Sequence, residues 1–240
     1  MLKLDILVLP VHPDDAELGC AGTILKEIAL GKKVGIVDLT RGELGTRGSA
    51  EIREQEAAEA GRILGLTVRD NLFLPDGFFQ NTKEYQLKVI EAIRRFQPEI
   101  VITNAYHDRH PDHGRANRLV EESAFLSGLR KIETTYNGEV QQAWRPVQVL
   151  HFIQDNYIKP DILVDVTDHW DKKVDSIHAF GSQFFNPGWE NEPQTYISSP
   201  EFIAVIEARA REFGKSIGVK FAEGFTSRKI LGVNSLFDLK

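Results

Sequence analysis

Apolar runs of strand length alternate with amphipathic stretches of helix length along most of the chain, and this rhythm constrains the fold more than any other feature. A strand, a covering helix and a second strand in the same direction build a parallel sheet buried on both faces. Asp5 to Val11 (DILVLPV) reads as the first strand, and Ala21 to Leu30 as a helix with Ile24, Leu25, Ile28 and Ala29 on one face, stopped by Gly31. Val34 to Leu39 is a second strand, Thr40 to Gly48 (TRGELGTRG) a glycine-punctuated loop, and Ala50 to Leu64 a charged helix with Ile52, Ala60, Ile63 and Leu64 on one side. A third strand lies within Val68 to Leu74, followed by a helix over Lys83 to Phe96 that Pro98 ends. Glu99 to Thr103 is a fourth strand, Asn104 to Gly114 a polar loop, and Arg115 to about Ser127 a helix. Strands at Pro146 to Ile153 and Ile162 to Val166, and helices near His169 to Gln183 and Pro200 to Ile217, continue the pattern. The expected class is α/β: one Rossmann-like domain over residues 1–240, with a mainly parallel sheet covered by helices on both faces.

With 240 residues and 42% hydrophobic content, the chain can build one full core, and no linker rich in Pro, Gly or Ser and no internal repeat divides it. The lone cysteine, Cys20, leaves no internal disulfide and no Cys-rich zinc site, so a metal would have to be held by His and carboxylate. A net charge of −6 argues against nucleic acid as main partner, because that binding neutralises phosphates with Lys and Arg. No run approaches the roughly 20 apolar residues of a membrane span, and no basic region precedes an apolar leader. The expectation is a cytoplasmic protein, without membrane or nucleic-acid partners, acting on a small molecule.

His12-Pro13-Asp14-Asp15 follows the first strand at its carboxyl end, where open α/β sheets bind ligands. His12 and Asp15, three apart across a turn stiffened by Pro13, can converge on one cation. A capping turn, with Asp14 or Asp15 accepting from the next helix, explains that segment equally well on its own. The second motif shifts the balance. His107-Asp-Arg-His110-Pro-Asp112-His113 follows the fourth strand, on the same sheet edge, and packs three of the seven histidines into seven residues. A first-row metal with nitrogen and oxygen ligands needs such clustering, whereas a solvated loop does not. His113 then completes a His12, Asp15, His113 set with an open fourth position, the pattern of a catalytic zinc, one ion per chain. Asp14 is placed to take a proton from a water at that position, and His110 is left for proton chemistry.

HPDDAELG near the N-terminus, with HPDHGRA about a hundred residues later, resembles the LmbE/PIG-L-like zinc N-deacetylases. TRGELGTRG and the helix pattern Arg53, Glu56, Ala60, Leu64, Gly65 resemble the same family, especially its bacillithiol-biosynthesis branch, which deacetylates N-acetylglucosaminyl malate. The resemblance is strong over most of the first 120 residues and loose beyond them. It implies His12, Asp15 and His113 as zinc ligands, Asp14 as general base and His110 as the electrophilic histidine, cationic beside an orienting Asp112. It also implies Arg53 at the acetyl end of the pocket, Tyr196 as the nearest match to a mobile tyrosine near the metal, and an N-acetyl sugar as substrate; it allows a homo-oligomer. Val11 stands where the family usually has Ala, at a strand position without a catalytic role.

Arg41, Arg47, Arg53 and Arg109 fall in or just after the two loops that frame the site, although the chain is acidic overall. Guanidinium groups suit bidentate binding of carboxylate, and Arg109, between two site histidines, is the best candidate to hold an anionic substituent such as malate. Pairing with nearby glutamates is at least as good an account of any one of them. The aromatic loop from Phe180 to Tyr196 is a lid over the substrate, a subunit contact or, more commonly for such loops, pinned to the body of the protein. His151, His169 and His178 read as structural or surface residues. A nucleotide-binding oxidoreductase would need GxGxxG after the first strand, where this chain has HPDDAELG. A sugar-binding protein using the metal as a clip would not need Asp14 and His110.

Overall fold

The computed structural model describes residues 2–189 and 192–239, so Glu190 and Asn191 of the aromatic loop lie outside the described residues. The elements are β1 (Ile6–Leu9), α1 (Asp15–Ala29), β2 (Val34–Thr40), α2 (Ala50–Leu64), β3 (Val68–Leu74), α3 (Lys83–Phe96), β4 (Ile100–Asn104) and α4 (Pro111–Leu126). There follow β5 (Thr135–Tyr136), β6 (Glu139–Val140), β7 (Gln148–Phe152), β8 (Ile162–Asp165), α5 (Trp170–His178), α6 (Phe202–Ile217) and β9 (Ala222–Thr226). Seven strands form one sheet in the order β3-β2-β1-β4-β7-β9-β8. The first five run parallel, and β9 enters antiparallel between β7 and β8. β5 and β6 form a separate hairpin across Asn137 and Gly138, both with positive φ, the left-handed pair that a two-residue hairpin turn demands.

Alternation along the strands divides the core. Leu7, Leu9, Val37, Leu39 and Val101 face α3 and α4, while Ile6, Val8, Ile36 and Ile102 face α1 and the end of α2. α5 and α6 extend the second layer, packing Trp170, Ile177, Phe202 and Ile206 against Leu18, Ala57 and Ala60. Burying side chains of this kind contributes about 1.5–3 kcal/mol each. Local signals fix the helix ends: Ser49 and Thr82 cap α2 and α3 by accepting from Ile52 and Tyr85, and Gly65 closes α2 in the left-handed conformation.

Several elements depart from the expectation. α1 begins at Asp15, six residues before the expected start, and is broken at Cys20, whose φ/ψ is −149°/15°. The break lets α1 lie close to the sheet: a Cβ on Gly19 would stand 2.2 Å from the Phe152 ring. Its loose ends have partners. Glu223 on β9 accepts from the N–H groups of Gly22 and Thr23 at 2.9 and 2.7 Å, and Lys173 on α5 donates to the Leu18 carbonyl and to Glu223. α4 begins at Pro111 instead of Arg115, with proline in the first turn, where a missing N–H costs nothing. β9 was not expected, and α5 ends at His178, short of Gln183.

β1 and β4 are neighbours, and the chain leaves β1 for β2 on one side and β4 for β7 on the other. The crevice outside their carboxyl ends is the place where such sheets bind ligands, and both histidine motifs open onto it.

Candidate metal centre and active site

Asn104, at the end of β4, ties the two motif-bearing strands together. Its side chain accepts from the Val11 N–H at 2.9 Å and donates to Asp15 Oδ2 at 3.2 Å, while its carbonyl accepts from Asn117 on α4. Asp15 Oδ2 also accepts from the His12 N–H at 3.0 Å, and Oδ1 from Gln154 at 2.8 Å. Neither aspartate of the first motif caps α1. Asp14, at the N-cap position, makes no side-chain cap bond and has φ 122°, a costly conformation for a residue with a Cβ. Its carboxylate turns to Arg53, whose Nη2 donates to Oδ2 at 2.5 Å and to the Pro13 carbonyl at 2.9 Å, while Nη1 reaches the Gly42 carbonyl.

The expected ligands converge. His12 Nδ1 lies 3.4 Å from Asp15 Oδ2, and His113 Nε2 lies 3.3 Å from Asp15 Oδ1. Around a tetrahedral zinc with bonds near 2.0–2.1 Å, donors stand about 3.3–3.4 Å apart; each histidine matches that spacing to one of the two Asp15 oxygens, so the residue types present suit such an ion. The outer ring nitrogens are already engaged: His12 Nε2 with Asp76 at 2.9 Å, and His113 Nδ1 with Asp108 at 2.7 Å. Nitrogens of His12, His110 and His113 also lie within 4.8 Å of one another, as do donor atoms of His12, Asp76 and Asp112. The first trio marks how near His110 stands to the centre; the second is the pair of carboxylates on the outer side of His12, of which Asp76 is within hydrogen-bond distance.

Electrostatics follow the geometry. Against burial, the carboxylates of Asp112, Asp15 and Asp76 raise His12 well above an ordinary imidazole. Against burial, Asp15 and Asp108 raise His113 to about 9. A site that holds protons this firmly has an excess of negative charge that a metal cation can replace. Burial lifts Asp14 to about 7, with the Arg53 charge working against the rise, which poises it near the pH where a general base works best.

The sequence expectation for His110 is an imidazolium beside Asp112. Burial, with the positive charges of His12 and His113, holds it below its ordinary value. As N-cap of α4 its Nδ1 accepts from the Asp112 N–H at 3.3 Å. With Nδ1 accepting, Nε2 is the ring nitrogen left to donate, and His110 is among the residues that line the site cavity. The Asp112 carboxylate does not reach the His110 ring. It accepts from the Gly77 N–H at 2.8 Å and from Arg115 at 2.6 Å, and stands 3.6 Å from His12 Nε2.

Together these residues line a cavity of about 430 Å³ whose walls include Asp14, His110, Arg53, Arg109, Gln154 and Tyr196, a size in the range of small-molecule sites. Arg109 is half-exposed at the rim; its Nε donates to Asp155, and its guanidinium lies 4.7 Å over the Tyr196 ring. Tyr196 Oη donates to Asp155 at 3.2 Å. Arg41 instead pairs with Glu51 and Glu54. Sequence reasoning missed Asp76, Gln154 and Asp155, and gave Asp108 no role. The loop after β7 is the common link: Gln154 holds Asp15, Asp155 holds Arg109 and Tyr196, and the Asn156 N–H holds Asp108. The base of the aromatic loop is pinned, with Ser182 donating twice to Glu56 and Gln183 donating to the Arg47 carbonyl.

Residues 7–124 match the family described as PIG-L, GlcNAc-PI de-N-acetylase. The crystal structure of a conserved protein from Thermus thermophilus superposes with a TM-score of 0.85 at 37% identity, covering 97% of this chain and 98% of that one. A diacetylchitobiose deacetylase from Thermococcus kodakarensis is 28% identical over 91% of this chain and 81% of its own. A probable N-acetyl-alpha-D-glucosaminyl L-malate deacetylase 2 from Bacillus anthracis is 28% identical over 75% of this chain and 81% of its own.

Proposed function

Because the chain belongs to the PIG-L family of de-N-acetylases and is an amide-hydrolysing deacetylase, we propose that it removes the N-acetyl group from an N-acetylglucosamine-type sugar, with the glycoside of L-malate as its substrate. Zinc, one ion per chain on His12, Asp15 and His113, and a cytoplasmic setting belong to the same reading. The observation that carries it is the placement of Asp14, a buried carboxylate beside the ligand set that caps nothing and is braced by Arg53.

Bound there, zinc supplies positive charge that acidifies a water and polarises the acetamide carbonyl. Asp14 takes a proton from the attacking water, and Arg53 steadies the carboxylate. The His110 Nε2–H donates to the carbonyl oxygen as it gains charge. Protonated Asp14 then returns the proton to the departing nitrogen, giving acetate and a free amine. At the rim, Arg109 offers a guanidinium to a carboxylate on the aglycone, which supports the malate conjugate over a neutral one.

The test is acetate release by metal-analysed protein, with N-acetylglucosaminyl malate, N,N'-diacetylchitobiose and free N-acetylglucosamine compared by kcat/KM. The malate conjugate is expected to lead. Preference for either neutral substrate removes the aglycone assignment, and no acetate from any of the three by zinc-loaded protein removes the sugar deacetylase.

A further inference from the structure

We propose that Asp76 is the positioning residue of the metal centre, the carboxylate that fixes the His12 imidazole with Nδ1 turned to the metal. Asp76 belongs to neither histidine motif; it lies in the turn after β3, 64 positions from His12. It is buried, and each polar atom that could wander is tied. Oδ1 meets His12 Nε2 at 2.9 Å, Oδ2 accepts from the Leu44 N–H at 3.0 Å, and the Asp76 N–H donates to Glu43 at 2.9 Å. The next residue is held as firmly, the Gly77 N–H by Asp112 and the Gly77 carbonyl by Arg115. The carboxylate is thus set in place by two loops and α4 before any metal arrives.

An imidazole ligand is usable only when its free nitrogen faces the ion and the other keeps its hydrogen. A carboxylate on the outer N–H fixes that tautomer, fixes the ring rotation and makes the ligating nitrogen more basic; losing such a partner typically costs roughly 10- to 100-fold in metal affinity. His113 has an equivalent partner in Asp108, from within the second motif. His12 has nothing equivalent nearby in sequence, and Asp76 supplies it from another loop. Asp112, 3.6 Å from the same nitrogen, is beyond hydrogen-bond reach, which leaves Asp76 as the bonded partner. The inference rests on the zinc reading of the site but not on the identity of the substrate.

The experiment measures zinc affinity of the full chain by competition with a chromophoric chelator, for the wild type, Asp76→Asn and Asp76→Glu. A nitrogen-15 spectrum of the His12 ring in the zinc-loaded protein is recorded alongside. Asp76→Asn is expected to bind zinc roughly 10- to 100-fold more weakly and to shift the His12 ring signals, with Asp76→Glu recovering part of the affinity. Urea unfolding of the metal-free proteins identifies any variant that fails to fold, and Asp76→Glu then stands in for it. Zinc affinity within about twofold of wild type in Asp76→Asn overturns the proposal, whatever happens to stability. A wild type that binds no zinc removes the metal reading itself, and loss of acetate release with intact zinc binding bears only on the deacetylase reading.

Discussion

The carboxylate of Asp14 and the guanidinium of Arg53, 39 positions apart in the chain, meet at 2.5 Å inside the protein, next to the proposed zinc ligands. The neighbouring carboxylate, Asp15, faces the other way, toward His12, Asn104, Gln154 and His113. The backbone at Asp14, with φ 122°, separates the two directions. Two adjacent aspartates therefore have different work, and their amide variants should differ. Asp14→Asn keeps the ligand set and should retain zinc, with kcat falling roughly 10²- to 10⁴-fold for loss of a general base. Asp15→Asn should release zinc first, and excess metal should restore part of its activity. Zinc stoichiometry and kcat, with and without added metal, decide it; the reverse pattern means the two roles are exchanged.

Arg53 is a stability element as well as a brace. Both partners of the pair are buried, and the same guanidinium holds the carbonyls of Pro13 and Gly42. Arg53→Ala leaves two carbonyls without their donor and Asp14 without its partner; the carboxyl, already lifted by burial to about 7, answers by taking up a proton, so the loss should be about 1–3 kcal/mol at neutral pH. Arg53→Lys keeps the charge but loses the fork and should recover only part of it. Urea unfolding of the metal-free proteins measures both, and an Arg53→Ala loss below about 1 kcal/mol would contradict the account.

Much of this was legible in the sequence where local pattern and tertiary demand agree. α2 and α3 fall on the expected residues because their apolar faces and caps, Ser49 and Thr82, point to the same boundaries. α1 and α4 start earlier than periodicity indicates because their first turns carry His12's neighbours Asp14 and Asp15, or Asp112 and His113, instead of apolar residues. Function overwrote the pattern there. β9 (AEGFT) was hidden by Glu223 and Gly224, residues that strands rarely favour. Asn137-Gly138 did carry a hairpin signal that went unread. At the site, motif spacing disclosed the residues that follow β1 and β4. Asp76, Gln154 and Asp155 come from other loops as isolated polar residues, with no spacing to mark them, and only the folded chain brings them in.

The break in α1 makes a stability prediction. Lys173 and Glu223 are both almost wholly buried, 2.6 Å apart, and between them serve the Leu18 carbonyl and the N–H groups of Gly22 and Thr23. Lys173→Met leaves the Glu223 charge buried beside those N–H groups and should cost about 3–5 kcal/mol. Adding Glu223→Gln removes the stranded charge and should return part of that loss, so the two changes are not additive. Full additivity in urea unfolding would mean that the pair is not coupled.

Arg109 tests the aglycone. Its guanidinium is not idle: Asp155 accepts from Nε, and Tyr196 lies beneath it while donating to the same carboxylate. A substrate carboxylate must therefore compete with Asp155 for this arginine. Arg109→Ala should raise KM for the malate conjugate and leave free N-acetylglucosamine nearly unchanged. Asp155→Asn should do the opposite, lowering KM for the malate conjugate by releasing the guanidinium while the neutral substrate again changes little. Because Arg109 is half-exposed, solvent screens the contact, and each shift should be modest, about two- to fivefold. The discriminating quantity is the ratio of the two substrates' KM values in each variant. A ratio that moves in opposite directions in Arg109→Ala and Asp155→Asn identifies a carboxylate bound at Arg109; a ratio that stays put in both means that Arg109 and Asp155 only hold Tyr196 in place, and that the aglycone lies elsewhere.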